Sequence, residues 1–378
     1  MRIFRGKEHV GTLEDRGRSS SFRYADDYRV SELPGGGIAT SLPLREEPYE
    51  TPGRFLPTFF ENLLPEGFRA DSVRARYRLA LDDAFGMFQI VGGDTIGDVW
   101  AEVATGSDPL EFEEADYERA LEADLARSSS VAGVQPKLSP ARVTLWSAGR
   151  REILKLEPAA YPGLVENEML TMEIARRDCR IETARTQVRT DARGRRALAV
   201  ARFDRDPEGR ALHQEDGCQL LDVYSGAKYR VKFRDLLERA RAVSPLEDVV
   251  ALRWLELYAF SYLVGNADLH AKNLSLYAPR VGAGLRPTPA YDLVSTMLYP
   301  GLDAHMALRL DGKDDNLKAR DFIAFFGRFG VAEPLVRARL ATIAQGVARR
   351  MNDLEAVAPT KKDGARATEL LRRRADRL

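Results

Sequence analysis

Cysteine is nearly missing: only Cys179 and Cys218 occur in 378 residues. That excludes a disulfide-stapled scaffold and fits a reducing compartment. The four histidines (His9, His213, His270 and His305) form no His-x-x-x-His pair, and there is no Cys-x-x-Cys. A structural zinc site therefore lacks a ligand set. Neither sign of charge is in excess. Fifty-seven Lys and Arg face 57 Asp and Glu, for a formal net charge of zero. Such a balance argues against coating nucleic acid through bulk charge, although it leaves local basic patches open. The most apolar stretch, residues 249–264, is interrupted by Arg253 and Glu256 and is too short and too charged to span a bilayer. The first nine residues carry no apolar core of a signal peptide. Together these absences predict a soluble, cytoplasmic protein with no membrane segment.

What is present is enough for a sizeable core. Hydrophobic residues make up 44% of the chain, close to the soluble average. The length corresponds to about two or three domains, and no fixed-period repeat is visible. Short alternating runs at residues 3–4, 10–13 and 22–24 predict strands and hairpins. Residues 55–64 and 69–81 predict helices, separated by the breaker Pro65-Glu-Gly67. Residues 88–91 fit either a buried strand or a helix end. Residues 107–124 hold eight acidic residues against one basic, Arg119, which predicts a solvated helix face at a domain boundary. Strands are predicted at 143–146, 152–156, 186–188 and 197–203, with a helix at 166–177. From residue 214 the pattern becomes mainly helical, with helices at 233–242, 246–264, 319–329 and 334–351. The tail, residues 360–378, has seven basic residues against three acidic and predicts a solvated terminal helix.

The chemistry concentrates where the long apolar helix runs into Gly265-Asn-Ala-Asp268-Leu-His270-Ala-Lys272-Asn273. Asp268 and Asn273 have the offset of a kinase catalytic loop, Asp-x-x-x-x-Asn. A carboxylate can take the proton of an acceptor hydroxyl, and an amide oxygen ligates a hard cation without adding charge. Lys272 stands between them, suited to offsetting phosphate charge. Residues 274–277 alternate as a strand, and 285–290 can return as its partner. That hairpin would bring Asp292 back beside Asn273, in the metal-binding position of a kinase Asp-Phe-Gly segment, with Leu293-Val294 in place of Phe-Gly. A phosphate anchor is needed too. Gly92 and Gly97 have the glycine spacing of a P-loop, but Asp98-Val99 follows, which excludes one. Lys155, on the predicted strand at 152–156, can reach phosphate oxygens, with Glu168, or else Glu166 or Glu173, as its ion-pair partner. Ser130-Val-Ala-Gly133-Val-Gln135-Pro-Lys137 lies just upstream as a flexible phosphate-covering loop.

Taken together, these residues resemble the HipA-type toxin kinases, and the resemblance covers nearly the whole chain. The segments Gly265–Asn273 and Ser130-Val-Ala-Gly-Val-Gln-Pro-Lys-Leu138 carry it most specifically. Leu42-Pro-Leu44 and Phe59-Phe-Glu-Asn-Leu-Leu-Pro-Glu-Gly67 are similar to the family's N-terminal subdomain. Arg202-Phe-Asp-Arg205, Gln214-Glu-Asp-Gly-Cys-Gln219 and Tyr291-Asp-Leu-Val-Ser295 are similar to its hinge, post-hinge and metal-binding segments.

The resemblance implies an α+β fold, bilobal and related to protein and phosphatidylinositol kinases. Residues 1–105 would form an N-terminal accessory subdomain, 106–206 a β-rich nucleotide lobe and 207–378 a mainly helical catalytic lobe. It implies a serine/threonine protein kinase, the toxin of a type II toxin–antitoxin system, using ATP and Mg²⁺. Asp268 would be the catalytic base, Asn273 and Asp292 the metal ligands, and Lys155 the ATP-phosphate ligand. Lys272 would join Asp268 as a catalytic residue, and Gly133, Gln135, Lys137, Glu168 and His270 would help to bind the nucleotide. Arg202 and Phe203 would contact adenine through their backbone. Ser130, with Ser128 and Ser129 as neighbours, aligns with the serine that members autophosphorylate. The family's known substrates are aminoacyl-tRNA synthetases. The implied partner is a helix-turn-helix antitoxin, so DNA contact is indirect. Ala201 departs from the family pattern, in which a Glu often precedes Arg-Phe-Asp-Arg. Two other classes remain: a small-molecule phosphotransferase resembling the aminoglycoside kinases, and a weakly active corepressor bound to its antitoxin.

Overall fold

The structure is a computed structural model that describes residues 1–28, 33, 35–103, 143–146 (as backbone), 151–158, 160–190, 194 and 196–378. The acidic stretch at 107–124 lies outside the described residues, as do Ser128, Ser129, Ser130, Gly133, Gln135 and Lys137.

Three antiparallel sheets organise the described residues. The first contains β1 (Arg2–Arg5), β2 (Glu8–Asp15), β3 (Ser19–Tyr24), β4 (Tyr49–Pro52) and β5 (Val99–Ala101), in the order β4-β3-β2-β1-β5. Ile3, Val10, Leu13 and Phe22 are buried in one cluster with Phe59, Phe60 and Phe88; a register shift in the β1–β2 ladder interrupts the strict alternation between Val10 and Leu13. The helix expected over 55–64 shortens to one turn, α1 (Thr58–Glu61). Leu63 and Leu64 donate to carbonyls three residues back at 3.1 Å, and Pro65 follows with no N–H to continue the ladder. The helix expected over 69–81 is α2 (Gly67–Tyr77), ended by Arg78 in the left-handed region at φ 55°. Residues 88–91 end α3 (Ala84–Val91), whose Asp83 cap accepts from the Gly86 amide at 2.8 Å.

The second sheet has the order β6-β7-β9-β8, from β6 (Val143–Trp146), β7 (Glu152–Leu156), β8 (Thr186–Thr190) and β9 (Arg196–Ala201). Lys155 sits mid-sheet, opposite Thr144 and Leu198. Helix α4 (Leu164–Glu173) packs against it and runs on as a π-helical turn, Ile174–Asp178. The third sheet, β10-β11-β12, joins β10 (Gln214–Asp216) to a hairpin of β11 (Ser275–Tyr277) and β12 (Arg286–Pro287). Residues 214–216 are thus a strand where helix was expected to begin. Asp216 then caps α5 (Gly217–Leu220), accepting from the Cys218 and Gln219 amides at 2.9 and 3.0 Å.

The remaining helices are α6 (Phe233–Val243), α7 (Glu247–Val264), α8 (Ala319–Gly327), α9 (Glu333–Arg349), α10 (Met351–Ala356) and α11 (Lys361–Ala375). Their core holds Phe233, Trp254, Tyr258, Tyr262, Phe322, Phe325 and Phe326. The tail helix is not simply solvated. Ala367 and Leu371, four apart on one face, are fully buried. Arg374 donates to the carbonyls of Tyr262 and Ala304 at 2.9 and 2.8 Å and pairs with Asp315. Among the described residues no helix is long and apolar enough to cross a membrane.

The first sheet docks on the other two through buried charge. The His213 ring lies 2.8 Å from Asp98 and 2.9 Å from Glu215. Glu215 also accepts from the Thr40 amide and hydroxyl, at 2.9 and 2.6 Å. Burial opposes the charge on His213, but the two carboxylates outweigh it and raise the imidazole to about 9. A folded-state value above the unfolded 6.5 adds stability that is complete below pH 6.5 and lost as pH rises through 9. Thermal melts should therefore fall in midpoint across that window, and His213→Gln should flatten the fall. Parallel slopes in the two proteins would contradict this joint.

Candidate active site

Helix α7 is buried around most of its circumference and delivers a short, pinned loop. Gly265 ends it at φ 72°, where an added Cβ would lie 2.7 Å from the Met297 sulfur, so neither backbone nor space admits a side chain. Asn266 follows and ties two segments together. Its side-chain oxygen accepts from the Asp268 amide at 3.2 Å, and its Nδ2 donates to the Asp292 carbonyl at 3.4 Å. The Ala267 amide donates to the Thr296 hydroxyl at 3.0 Å. Asp268 is consequently held with its side chain almost buried, and its Oδ1 accepts from the Tyr229 hydroxyl at 2.8 Å. His270 packs edge-on to Tyr229 at 5.1 Å. Burial, helped by the nearby Lys228, pushes His270 well below the usual histidine range, so it is a neutral imidazole.

A 3₁₀ turn, Ala271–Asn273, sets the other end of the loop, with the Asn273 amide donating to the His270 carbonyl at 3.0 Å. Asn273 is 5% exposed, and its Oδ1 is buried with no hydrogen-bond partner among the described residues. The hairpin then returns as expected, with Leu276 opposite Pro287 and Tyr277 opposite Arg286. Tyr291 closes it, donating to the Lys272 carbonyl at 2.7 Å. Asp292 therefore emerges beside the loop, in the left-handed region at φ 57° that Asp tolerates better than most residues.

Across the cleft, the Lys155 ammonium lies 2.5 Å from Glu168 Oε1 and contacts the Asp292 carboxylate. The open choice of partner is resolved in favour of Glu168. Glu166 pairs instead with Arg196, and Glu173 with Arg177. Lys155 and Asp292 line a cavity of about 310 Å³ with Val200, Ala201 and Phe203, and residues 62–66 of the first subdomain close one side. Asn273 borders a second cavity, about 260 Å³, behind the hairpin.

Arg202 and Phe203 have side-chain duties of their own. The buried Arg202 guanidinium pairs with Asp94 at 3.2 Å and Asp204 at 2.7 Å and donates to the Thr95 carbonyl. The Phe203 ring packs on Tyr277 and Tyr291 at 5.9 and 5.5 Å. Lys272 is similarly committed. Its ammonium donates to the Asn62 carbonyl at 2.9 Å and lies 3.0 Å from Asp216 and 3.6 Å from Glu66. Burial would lower its basicity, but Asp216 and Glu66 raise it above the ordinary lysine value. Sequence reasoning missed Tyr229, Asn266, Glu66 and Asp216 as site residues. Only Asn266 had a local signal, as the residue after a helix-ending glycine.

This arrangement agrees with comparisons to known proteins. A model of the HipA-like C-terminal domain matches residues 129–353, and one of the HipA N-terminal domain matches residues 1–102. The chain belongs to the HipA family. The protein Y4mE of Sinorhizobium fredii is 32% identical over 90% of this chain and 89% of its own length. The serine/threonine-protein kinase toxin HipA of Shewanella oneidensis is 28% identical over 93% of this chain and 88% of its own. A solved complex of Shewanella oneidensis HipA, HipB and operator DNA superposes with a TM-score of 0.74. It covers 100% of this chain and 96% of that one at 22% identity, a likeness that shows the fold. This HipA-family chain is thus a kinase of α+β, protein-kinase-like architecture.

The partly buried lysine of the family loop is directly testable. Lys272→Met leaves Asp216 without this cation and Glu66 with Lys228 alone. The cluster is partly exposed, so the loss should fall below the ~3–5 kcal/mol of a fully buried pair and still register in urea unfolding. Unchanged stability with lost phosphoryl transfer would make Lys272 a phosphate contact instead.

Proposed function

We propose that this HipA-family kinase transfers the ATP γ-phosphoryl group to a protein serine or threonine, as the toxin of a toxin–antitoxin pair. The observation that carries the reading is the Lys155 ammonium between Glu168 and Asp292, whose carbonyl Asn266 ties to the loop that bears Asp268 and Asn273. The residues fit Mg²⁺ as well as ATP. Asn273 offers a buried, unsatisfied amide oxygen and Asp292 a carboxylate, both hard donors. Among the described residues no three His, Cys, Asp or Glu side chains gather into a cation cage. Two protein oxygens suit a cation that keeps waters and binds phosphate. Bound Mg·ATP supplies the activated phosphoryl group and neutralises part of its charge.

The chain's own residues do the rest. Lys155 holds phosphate oxygens, positioned by Glu168. Asp268 accepts the hydroxyl proton of the acceptor. Phe203 and Val200 border the apolar part of the cleft, where the adenine would lie against backbone at Arg202–Phe203. The catalysis is positioning plus charge stabilisation and needs no covalent enzyme intermediate. The partner is proposed to be a HipB-like helix-turn-helix antitoxin, which would make any DNA contact indirect. The substrate is proposed to be a protein, with aminoacyl-tRNA synthetases as the class to test first.

Incubation of the purified chain with ATP and Mg²⁺, followed by peptide mass spectrometry, tests this beside Asp268→Ala. Phosphate should appear within residues 128–130, at Ser130 foremost, in the wild type only. Loss of a positioned base lowers rate by about 10²–10⁴-fold, so equal labelling of the variant would remove Asp268 from its role.

A further inference from the structure

Tyr229 stands far from every motif in the chain, yet it touches the centre of the loop. Its hydroxyl donates to Asp268 Oδ1 at 2.8 Å, and its ring is edge-on to His270 at 5.1 Å. A hydrogen bond from a phenol to a carboxylate is charge-assisted, stronger and more directional than a neutral one. Holding one oxygen of Asp268 fixes the plane of the carboxylate and so directs the other.

The residue before it explains why Tyr229 is itself fixed. Lys228 is buried, and its ammonium is paired with Glu66, between α1 and α2 of the N-terminal subdomain. The Lys228 carbonyl accepts from the Ala271 amide at 3.1 Å, a backbone link straight into the catalytic loop. Successive turn bonds hold the segment: Lys228 to the Ser225 carbonyl at 3.1 Å and Arg230 to the Ala227 carbonyl at 2.7 Å. Glu66 faces Lys272 as well, at 3.6 Å. Burial would raise the Glu66 carboxyl, but Lys272 and Lys228 hold it below the usual range, so it acts as an anion shared by both lysines.

We propose that Tyr229 is the positioning residue of Asp268, and that Glu66, acting through Lys228, sets it from the N-terminal subdomain. The proposal rests on Asp268 being the base. Phosphoryl transfer then depends on how that subdomain is docked, because the contact that aims the base is anchored to it. The subdomain is part of the catalytic apparatus as well as a wall of the nucleotide cavity.

The test uses the full chain, Mg²⁺ and γ-labelled ATP, with transfer measured to the chain itself and to dephosphorylated casein. Tyr229→Phe deletes one oxygen and leaves the ring against His270. Its kcat should fall about tenfold or more, as for loss of a hydrogen bond to a charged group, with the KM for ATP unchanged. Glu66→Gln should lower kcat in the same direction. In an Asp268→Asn background, Tyr229→Phe should cause no further loss. An unchanged kcat, or a lowered melting point with a raised KM for ATP alone, would make Tyr229 merely structural and overturn the proposal. A faster Tyr229→Phe would show the hydroxyl blocking the acceptor, which overturns it too. Wild-type rate in Asp268→Asn, or no transfer by the wild type, would overturn the underlying reading instead. An inactive Asp268→Asn beside a fully active Tyr229→Phe would sink the Tyr229 proposal alone.

Discussion

Lys155 leaves the second sheet with its ammonium held between Glu168 on α4 and Asp292 after the hairpin. A nearly buried ammonium is tolerated only when paired, and here the partners come from both sides of the cleft. Glu168 shares the lysine's own lobe and fixes its direction. Asp292 belongs to the helical lobe and sets the lobes in register. The pairing also determines what the cleft accepts. An anionic ligand entering the cavity would compete with Asp292 for the same cation.

Everything else in the site holds those groups still. Asn266 bridges the Asp268 amide and the Asp292 carbonyl, so the two segments cannot drift apart independently. Tyr291 fastens the return strand to the Lys272 carbonyl. Lys272 and Lys228 gather carboxylates from two subdomains. The equal counts of basic and acidic residues thereby gain a structural meaning. Much of the buried charge is matched pairwise, at Lys155, Arg202, His213 and Lys272, and those pairs join the subdomains.

The chemistry was legible in the sequence where it was local. Asp268 and Asn273 share one short loop, and the strand–turn–strand pattern after them forms the expected hairpin; that Asp292 would meet Lys155 was not read from it. Glu168 was one of three carboxylates offered as partners, and only the packing of α4 against the second sheet, which sets Glu168 on Lys155, singled it out. Tyr229 and Glu66 were invisible because their contacts join segments far apart in the chain. The helix expected over 55–64 shortened because the expectation ran through Pro57, which caps α1 instead. Residues 214–216 were too short for their strand alternation to register. The basic tail hid a buried stripe, because Ala367 and Leu371 are few among many charges.

Calorimetric titration of the full chain with ATP, with and without Mg²⁺, tests the central claim most directly. The paired Lys155 and Asp292 predict one Mg·ATP per chain, weak binding of ATP without the cation, and loss of that cation dependence in Asp292→Asn. Equal ATP affinity with and without Mg²⁺, unaltered by Asp292→Asn, would contradict the account.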